Sequence, residues 1–331
     1  MTTDNAARTK LTTIATFPEN FFLENLVVRA DDSILVSVLN HKQLWYVPPA
    51  GDLPVTPVPV ATFDHFAMGI VETEPDIFCV ATASQATLER FDMRGWSPGA
   101  PANHTRILTF DQTGAALNGA CTITPRIILI ADSLGGMIWR VDLAGLTATA
   151  RVWLQHDTMA FNPDSAFKSV LGPQPGINGI HYAALTNFVY YTSSAQKLFM
   201  RVAVDPFSHE PVGQPEMVAG GFAYDDFCID ENAGVAYLTT HVDNTLVRVP
   251  LDPAVPGAAP SIVAGDPFTE QLVGPSSAAW ARGPADYGDI AYVTTDGGYT
   301  AAEYHRPGMD GIVRPAQVLR VDFGADRGAP R

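Results

Sequence analysis

A unit of short apolar strands recurs six times along this chain, and that repeat constrains the fold more than any other feature of the sequence. Residues 221–250, GFAYDDFCIDENAGVAYLTTHVDNTLVRVP, show the unit: the acids Asp225 and Asp226, a short apolar strand, a turn, a second strand, a polar turn and a third strand. Alternating apolar and polar residues, punctuated by Asp, Asn and Gly, are typical of short antiparallel strands. The third strands of the six units begin at Leu44, Leu88, Ile138, Leu198, Leu246 and Val318.

A fourth, outer strand follows most of the third strands, and an innermost strand starts the next unit. The outer strands begin at Val58, Thr105, Ala150, Pro215 and Pro260. The inner strands begin near Glu24, Met68, Asn118, Asn178, Asp225 and Ser276, so that successive starts are about 44 to 60 residues apart. This spacing is within or slightly above that of four-stranded propeller blades. The sequence therefore predicts an all-β, six-bladed β-propeller with blades of four antiparallel strands, and residues 1–331 as a single domain.

The two ends of the chain predict how the ring closes. The third strand of the sixth unit, at 318–323, has no outer strand after it, whereas an outer-type strand, LTTIATF at 11–17, precedes the first unit. Pairing 11–17 with 318–323 completes the sixth blade and covers an open sheet edge. We therefore predict that the N-terminal strand closes the propeller.

Composition excludes several classes of partner. The 331 residues are 47% hydrophobic and 17% charged, with a formal net charge of −15. Nucleic acids and anionic membranes attract clustered Lys and Arg, so we expect neither as a partner. The N-terminus lacks the apolar segment of a secretion signal, and no window approaches the ~18 apolar residues of a membrane span. We expect a cytoplasmic protein, monomeric or a weak homo-oligomer, whose three cysteines are buried thiols.

The start of each inner strand and the loop between strands two and three lie on the same face of such a propeller. The two longest irregular stretches, 155–176 and 296–315, fall on that face, and we interpret them as a rim or lid over the central channel. Polar residues occur there at equivalent positions of four repeats: Glu24, Asn118, Asn178 and Asp225. Converging carboxylate and amide oxygens suit Ca²⁺ or another divalent metal. The alternative is that the Asn-Gly pairs are turn signals, although a turn would not select Glu24.

The whole chain resembles the senescence-marker-protein/gluconolactonase-like family of six-bladed propellers. The resemblance rests on LENLVV around Glu24, GINGI around Asn178 and YDDFCID around Asp225. It implies that Glu24, Asn178 and Asp225 bind a divalent metal, with Asn118 near the metal or substrate, and that no organic cofactor is needed. Phrases such as GIVETEPDIFCV and ILIADSLGGMIWRVD look most like a fungal branch of secondary-metabolite enzymes that includes hetero-Diels–Alderases.

The sequence departs from the sugar lactonases of that family around Asn118. An Arg just before the Asn and an Asp just after it clamp sugar hydroxyls in those enzymes, whereas this chain reads Ala116-Leu117-Asn118-Gly119 and has neither. The expected mouth is apolar instead, so we predict a hydrophobic small-molecule substrate, because unpaired hydroxyls are costly to desolvate there. The predicted substrate-binding residues are Phe22, Phe66, Met68, Asn118, Phe222, Phe227, Trp280, Tyr299 and Tyr304.

Three functions remain open at this point. The favoured one is cyclisation or hetero-Diels–Alder cycloaddition of a reactive hydrophobic intermediate, held in a near-attack pose. The first alternative is a metal-dependent lactonase or esterase, in which Asp225 or Asp226 activates water. The second is a non-catalytic binding platform. The predicted catalytic residues are Asp225, Asp226, His65, His181 and Tyr224, with Tyr299 and His305 as further donors. No G-x-S-x-G motif accompanies Ser276, Ser277 and His241, which disfavours a serine hydrolase.

Overall fold

The computed structural model of the chain consists of six four-stranded antiparallel sheets, which confirms the predicted six-bladed propeller. The structure describes residues 9–111, 115–144, 147–162, 174–254, 259–266, 272–283, 285–300 and 312–324, and the backbone of 168–169 and 172–173. In five sheets the strands follow one another in chain order from the innermost to the outermost. This up-and-down order brings the start of the inner strand and the loop after the second strand to the same face.

The strand bounds follow the predicted spacing closely. The inner strands are Leu23–Val28, Phe66–Glu74, Leu117–Thr124, Ile177–Ala183, Phe227–Asp230 and Pro275–Trp280. The second strands are Ile34–Val38, Ile77–Ala83, Ile127–Asp132, Phe188–Ser193, Val235–Thr240 and Ile290–Thr295. The third strands are Gln43–Val47, Thr87–Asp92, Met137–Asp142, Leu198–Val204, Thr245–Pro250 and Gln317–Asp322. The outer strands are Val58–Thr62, Asn103–Thr109, Thr149–Gln155, Pro211–Gly220 and Ser261–Gly265, with Lys10–Thr16 as the sixth.

The N-terminal strand closes the ring, as the sequence predicts. Lys10–Thr16 pairs antiparallel with Gln317–Asp322 of blade six, in a register that runs from Lys10 opposite Asp322 to Thr16 opposite Gln317. A bulge between Thr13 and Ala15 lets Ile14 and Ala15 both turn inward, and both are buried. The sixth blade therefore joins the first residues of the chain to the last strand.

The core lies between neighbouring blades, and this explains why the second strands are almost entirely buried. Every residue of Ile77–Ala83 is buried, because blade two packs against a neighbour on both of its faces. One such cluster joins Cys79 and Leu88 of blade two to Ile128 and Ile130 of blade three. The three cysteines are buried and form no disulfide.

Elements other than the blade strands are short. In the part of the chain that the structure describes, they are a hairpin of two-residue strands, Lys168–Ser169 with Gly172–Pro173, and the 3-10 turns Asp157–Met159 and His241–Asp243. Within the described residues, no helix has the length and apolar character needed to cross a membrane. Much of the predicted rim at 155–176 and 296–315 lies outside the described residues.

Candidate functional site

A cavity of about 160 Å³ opens on the face where the inner strands begin. Its lining has a polar part and an apolar part. The polar lining consists of Glu24, Asn118, Ser133, Gln174, Asn178, Asp225, His241 and Thr300. No Lys or Arg is among the described lining residues. The four residues that the sequence places at equivalent repeat positions therefore lie around one cavity.

Close packing of the inner strands requires the glycines that follow two of these residues. A Cβ on Gly119 would lie 2.7 Å from the backbone oxygen of Asn178 in the next blade. A Cβ on Gly179 would overlap the carboxylate of Asp226 in the blade after that. Neither glycine has positive φ, and both lie within strands. These Asn-Gly pairs therefore do not form turns. Each glycine lacks a side chain, which lets the inner strand of the neighbouring blade pack closely against it.

The two carboxylates in the cavity repel each other. Burial raises the pKa of Glu24 well above its ordinary value, and the charges of Asp225 and Asp226 raise it further. Burial also raises the pKa of Asp225 to about 7; His241 opposes that shift, and Asp226 adds to it. A group that binds between Glu24 and Asp225 as a cation would relieve this repulsion.

The amide groups beside these carboxylates present oxygen atoms. The Asn178 amide nitrogen donates to Asp225 Oδ1 over 2.6 Å and to Ser194 Oγ over 3.0 Å, which leaves its Oδ1 as the atom that can bind a cation. The Asn118 amide nitrogen donates to Ser133 Oγ over 3.1 Å, and its Oδ1 is buried without a hydrogen-bond partner. A buried amide oxygen without a partner is costly, so this oxygen can accept a cation or another donor that enters the cavity.

These residues fit a hard divalent cation. Two carboxylates and two amide oxygens are the ligand types that Ca²⁺ prefers. No group of three or more His, Cys, Asp or Glu side chains in the described part of the chain is arranged to hold a metal. A cation bound here would therefore need amide oxygens beside the two carboxylates, which is the ligand set that the sequence-based hypothesis names: Glu24, Asn178 and Asp225, with Asn118.

Asp226 is held by three other blades. Its Oδ2 accepts hydrogen bonds from Asn25 Nδ2 over 2.9 Å and from Ser277 Oγ over 2.6 Å, and its Oδ1 lies 3.1 Å from His181 Nε2. It is buried and is not among the described residues that line the cavity. Asp226 thus joins the inner strands of blades one, four and six to blade five.

Hydroxyl groups of the second strands fix the backbone at the site. Thr192 of blade four donates to the backbone oxygen of Asp225 in blade five. Thr239 donates to the backbone oxygens of Asp226, over 2.9 Å, and of Ser276 in blade six, over 3.0 Å. The carbonyls of Asp225 and Asp226 also accept backbone hydrogen bonds, from Gly179 N over 3.1 Å and from Thr239 N over 2.9 Å, so the hydroxyls add a second partner at each.

A buried histidine–aspartate pair also reaches the cavity. His241 Nε2 lies 2.9 Å from Asp296 Oδ2, and His241 Nδ1 lies 3.7 Å from Asp225 Oδ2. Asp296 is fully buried and also accepts hydrogen bonds from the backbone nitrogens of Gly298 and Thr300 and from the Thr300 hydroxyl. Burial by itself would raise the pKa of Asp296, but His241 and these hydrogen bonds outweigh it, and the pKa lies below its ordinary value. The Asp296 carboxylate is therefore ionised, and it holds the His241 ring in one orientation.

The apolar side of the cavity comes mainly from blades one and two. Phe22, Leu39, Met68 and Ala83 form one buried cluster, with Phe66 and Tyr299 packed against it. The Phe22 ring centre lies 5.2 Å from that of His241. The structure thus brings the predicted Phe22, Phe66 and Met68 to one wall, with Tyr299 behind them.

Other predicted site residues lie away from this cavity. Tyr224 and Phe227 are fully buried in the core of blades four and five, with Phe222 packed beside them. Trp280 packs against Tyr237 and Phe323 and donates to the backbone oxygen of Ile229. These aromatic side chains fill the space between blades, where large apolar residues are also expected.

Of the other predicted site residues, two lie away from the cavity and two lie outside the described residues. His181 faces Asp226, as described above. His65 lies in a separate surface cavity with His104 and Arg106, where its Nδ1 is 3.5 Å from Ser84 Oγ. Tyr304 and His305 lie outside the described residues.

His241 and Asp296 are not among the predicted site residues, although the sequence contains a signal for both. Each directly follows the second strand of its blade, His241 after Val235–Thr240 and Asp296 after Ile290–Thr295. Ser133 and Ser194 occupy nearly the same place in blades three and four. Aligning the residues after strand two across the repeats would have shown a polar set on the same face as the inner-strand starts.

The fold and the site together define a six-bladed propeller with an acidic, oxygen-rich cavity on its axis. No protein-family model matches the sequence, and no curated protein gave a match. Similar solved structures include a luciferin-regenerating enzyme, with 15% identity, 95% of each chain covered and a TM-score of 0.63. They also include the calcium-binding protein regucalcin from Agrobacterium tumefaciens, with 13% identity, coverage of 94% of this chain and 95% of that one, and a TM-score of 0.58.

A third similar structure is that of a protein proposed to be a gluconolactonase, with 13% identity and a TM-score of 0.60. The match covers 96% of this chain and 92% of that one. Identities this low establish a shared fold. The structural neighbours therefore include six-bladed propellers of the regucalcin and gluconolactonase type.

Proposed function

We propose that this chain is a divalent-cation-dependent hydrolase that opens a lactone or ester of an apolar small molecule. One observation carries the proposal: Glu24 and Asp225 are both buried in one cavity, their charges repel, and the described lining offers no Lys or Arg to neutralise them. The orphaned Oδ1 of Asn118 lies in the same cavity. A calcium-binding protein and a proposed gluconolactonase among proteins of the same fold support this choice.

The residues that line the cavity have separate roles in binding and in chemistry. Glu24, Asn178 and Asp225 would hold the cation, with Asn118 as a fourth oxygen ligand. When bound, the cation polarises the acyl carbonyl and stabilises the charge that develops on its oxygen. Phe22 and Met68 hold the hydrocarbon part of the substrate and exclude water from that side.

The sequence offers Asp225 or Asp226 as the base that activates water, and the contacts of the two acids support different roles for them. Both carboxylate oxygens of Asp226 are engaged by Asn25, Ser277 and His181, so we assign it a positioning role. Asp225 lines the cavity, and its Oδ1 accepts a hydrogen bond from Asn178. Of the two acids, Asp225 is the one in reach of a substrate.

Hydrolysis of paired lactones tests the proposal. The purified protein, with CaCl₂, MgCl₂ or MnCl₂, is given γ-undecalactone and glucono-δ-lactone, and acid release is measured with a pH indicator. We expect cation-dependent opening of the alkyl lactone, and opening of the sugar lactone at least about tenfold more slowly, because its hydroxyls lose water against the apolar wall. The variant Glu24→Gln should be inactive. Absence of hydrolysis with all three cations would overturn the proposal.

Cyclisation of an apolar intermediate is the second candidate, and the apolar wall favours it. Phe22, Leu39, Phe66 and Met68 form a continuous hydrophobic surface opposite the polar groups. Such a surface can hold a reactant in a near-attack pose, and proximity can supply ~7–11 kcal/mol. A cyclase would convert its substrate without consuming water, so retention of mass between substrate and product distinguishes it from the hydrolase.

A further inference from the structure

Two groups in the axial cavity are placed to handle a proton, Asp225 and His241. Asp225 Oδ1 is occupied by the Asn178 amide over 2.6 Å, and the carboxylate belongs to the proposed ligand set. His241 is held from behind: its Nε2 faces Asp296 Oδ2 over 2.9 Å and the Thr300 hydroxyl over 3.1 Å. The ring edge that carries Nδ1 is therefore directed towards Asp225, whose Oδ2 is 3.7 Å away.

We infer that His241, oriented by Asp296, is the catalytic group that transfers the proton in this cavity; the inference rests on the proposed hydrolase function. Because Asp296 is acceptor-only when ionised, the Nε2 of His241 carries the hydrogen in their bond. In the form of the ring with its hydrogen on Nε2 alone, the lone pair lies on Nδ1, at the edge that faces Asp225. A carboxylate that fixes the tautomer of a histidine in this way is the arrangement that general-base catalysis requires.

His241 gains one proton and releases it again in each turnover. A water O–H bond breaks, its proton passes to Nδ1, and the oxygen forms a bond to the acyl carbon. The bond between the acyl carbon and the leaving oxygen then breaks, and the leaving oxygen takes the proton from Nδ1. Water is the only co-reactant, a lactone gives one hydroxy acid, an open ester gives an acid and an alcohol, and His241 returns to its starting state.

The surroundings of the pair fit this role better than a purely structural one. Asp296 has no exposed surface and receives four donors: Gly298 N over 2.6 Å, Thr300 N over 3.0 Å, Thr300 Oγ1 over 2.7 Å, and His241. The Asp296 carboxylate therefore has no freedom to move away. His241, in contrast, lines the cavity and meets the Phe22 ring at its apolar wall.

The test uses His241→Gln and Asp296→Asn in the full chain, with His104→Gln as the matched control on the exposed outer strand of blade two. Calorimetric titration with CaCl₂ and circular dichroism check that each variant binds the cation and is folded. We expect His241→Gln to lower kcat for γ-undecalactone by about 10²–10⁴-fold with little change in KM, and Asp296→Asn to lower kcat in the same direction. The control should match the wild type.

The outcomes separate this inference from the proposed function. A His241→Gln protein that binds Ca²⁺ and keeps wild-type kcat would overturn the role of His241 and leave Asp225 as the base of a working hydrolase. If His241→Gln does not fold, Asp296→Asn tests the inference instead, because this variant keeps the His241 ring in the cavity. A wild-type kcat in Asp296→Asn would overturn the inference. A wild-type protein without any hydrolysis contradicts the proposed function itself.

Discussion

The hydroxyl of Thr294 in blade six donates a 3.0 Å hydrogen bond to the backbone oxygen of Glu24 in blade one. The same hydroxyl oxygen accepts from Ser277 N over 3.1 Å and from Ser276 Oγ over 3.0 Å. Thr294 thus connects the blade that closes the ring to the strand that carries a proposed metal ligand. Stability of the ring and geometry of the site depend on the same contact.

Thr294→Val should therefore affect both properties. It keeps the side-chain shape but removes the hydroxyl, so buried polar groups of Glu24, Ser276 and Ser277 lose a partner. We expect a loss of about 1–3 kcal/mol in the free energy of unfolding, measured by urea denaturation, together with weaker Ca²⁺ binding. Thr109→Val, on the exposed outer strand of blade two, is the control and should change neither. Equal stability of the two variants would show that the contact is unimportant.

The closing strand should contribute to stability through its buried residues. Ile14 is 1% exposed, whereas Thr16 on the same strand is exposed. We expect Ile14→Ala to lower the free energy of unfolding by about 2–5 kcal/mol and Thr16→Ala by less than about 0.5 kcal/mol. Deletion of residues 1–17 should lower the melting temperature more than either substitution, because it exposes the edge of Gln317–Asp322. A deletion variant as stable as the full chain would contradict closure by this strand.

The metal-free protein should become less stable as pH rises. Burial raises the pKa of Asp225 from 3.8 to about 7 in the folded chain. A carboxyl whose folded pKa is raised favours the folded state below its unfolded pKa, and this contribution is lost as pH rises through the folded value. We expect the melting temperature of wild type with chelator to fall between pH 4 and pH 8 more steeply than that of Asp225→Asn. Added Ca²⁺ should reduce this difference, and identical pH profiles of the two proteins would count against the raised pKa.

The wall residue Met68 should separate hydrolysis from cyclisation. Met68→Ala removes apolar contact with the substrate but no polar group. A hydrolase should show KM raised about tenfold with kcat nearly unchanged, whereas a catalyst that acts by holding reactants together should lose kcat. Phe227→Ala is a useful comparison because Phe227 is fully buried between blades. It should lower the melting temperature and leave the kinetics of the folded fraction unchanged.

Repeats made the fold predictable, since each blade supplies an independent sample of the same strand pattern. The inner strand predicted near Asn178 begins at Ile177, and the closing strand predicted at 11–17 is Lys10–Thr16. The alternation of apolar and polar residues indicates which side of a strand is buried. Because the pattern occurs in six repeats, an exception in one repeat does not hide it. The two ends of the chain then specify closure.

The site was less predictable because composition alone does not separate a pocket wall from a core. Phe22 and Phe227 are both aromatic residues near an inner strand, yet Phe22 lines the cavity and Phe227 packs between blades. Period-two alternation fails at this point, because bulges interrupt the register at the start of most inner strands, as at Leu117 and Ile177. Adjacent acids illustrate the same difficulty: Asp225 faces the cavity and Asp226 faces Asn25 and Ser277.

The most direct test of the account is calorimetric titration of the chelator-treated protein with CaCl₂. Glu24, Asn178 and Asp225 are proposed to bind one cation in the axial cavity. We predict one Ca²⁺ per chain for the wild type and for the exposed-surface control Glu19→Gln, and no binding for Asp225→Asn. An absence of heat for the wild type with Ca²⁺, Mg²⁺ and Mn²⁺, or equal affinity in Asp225→Asn, would contradict the axial metal site.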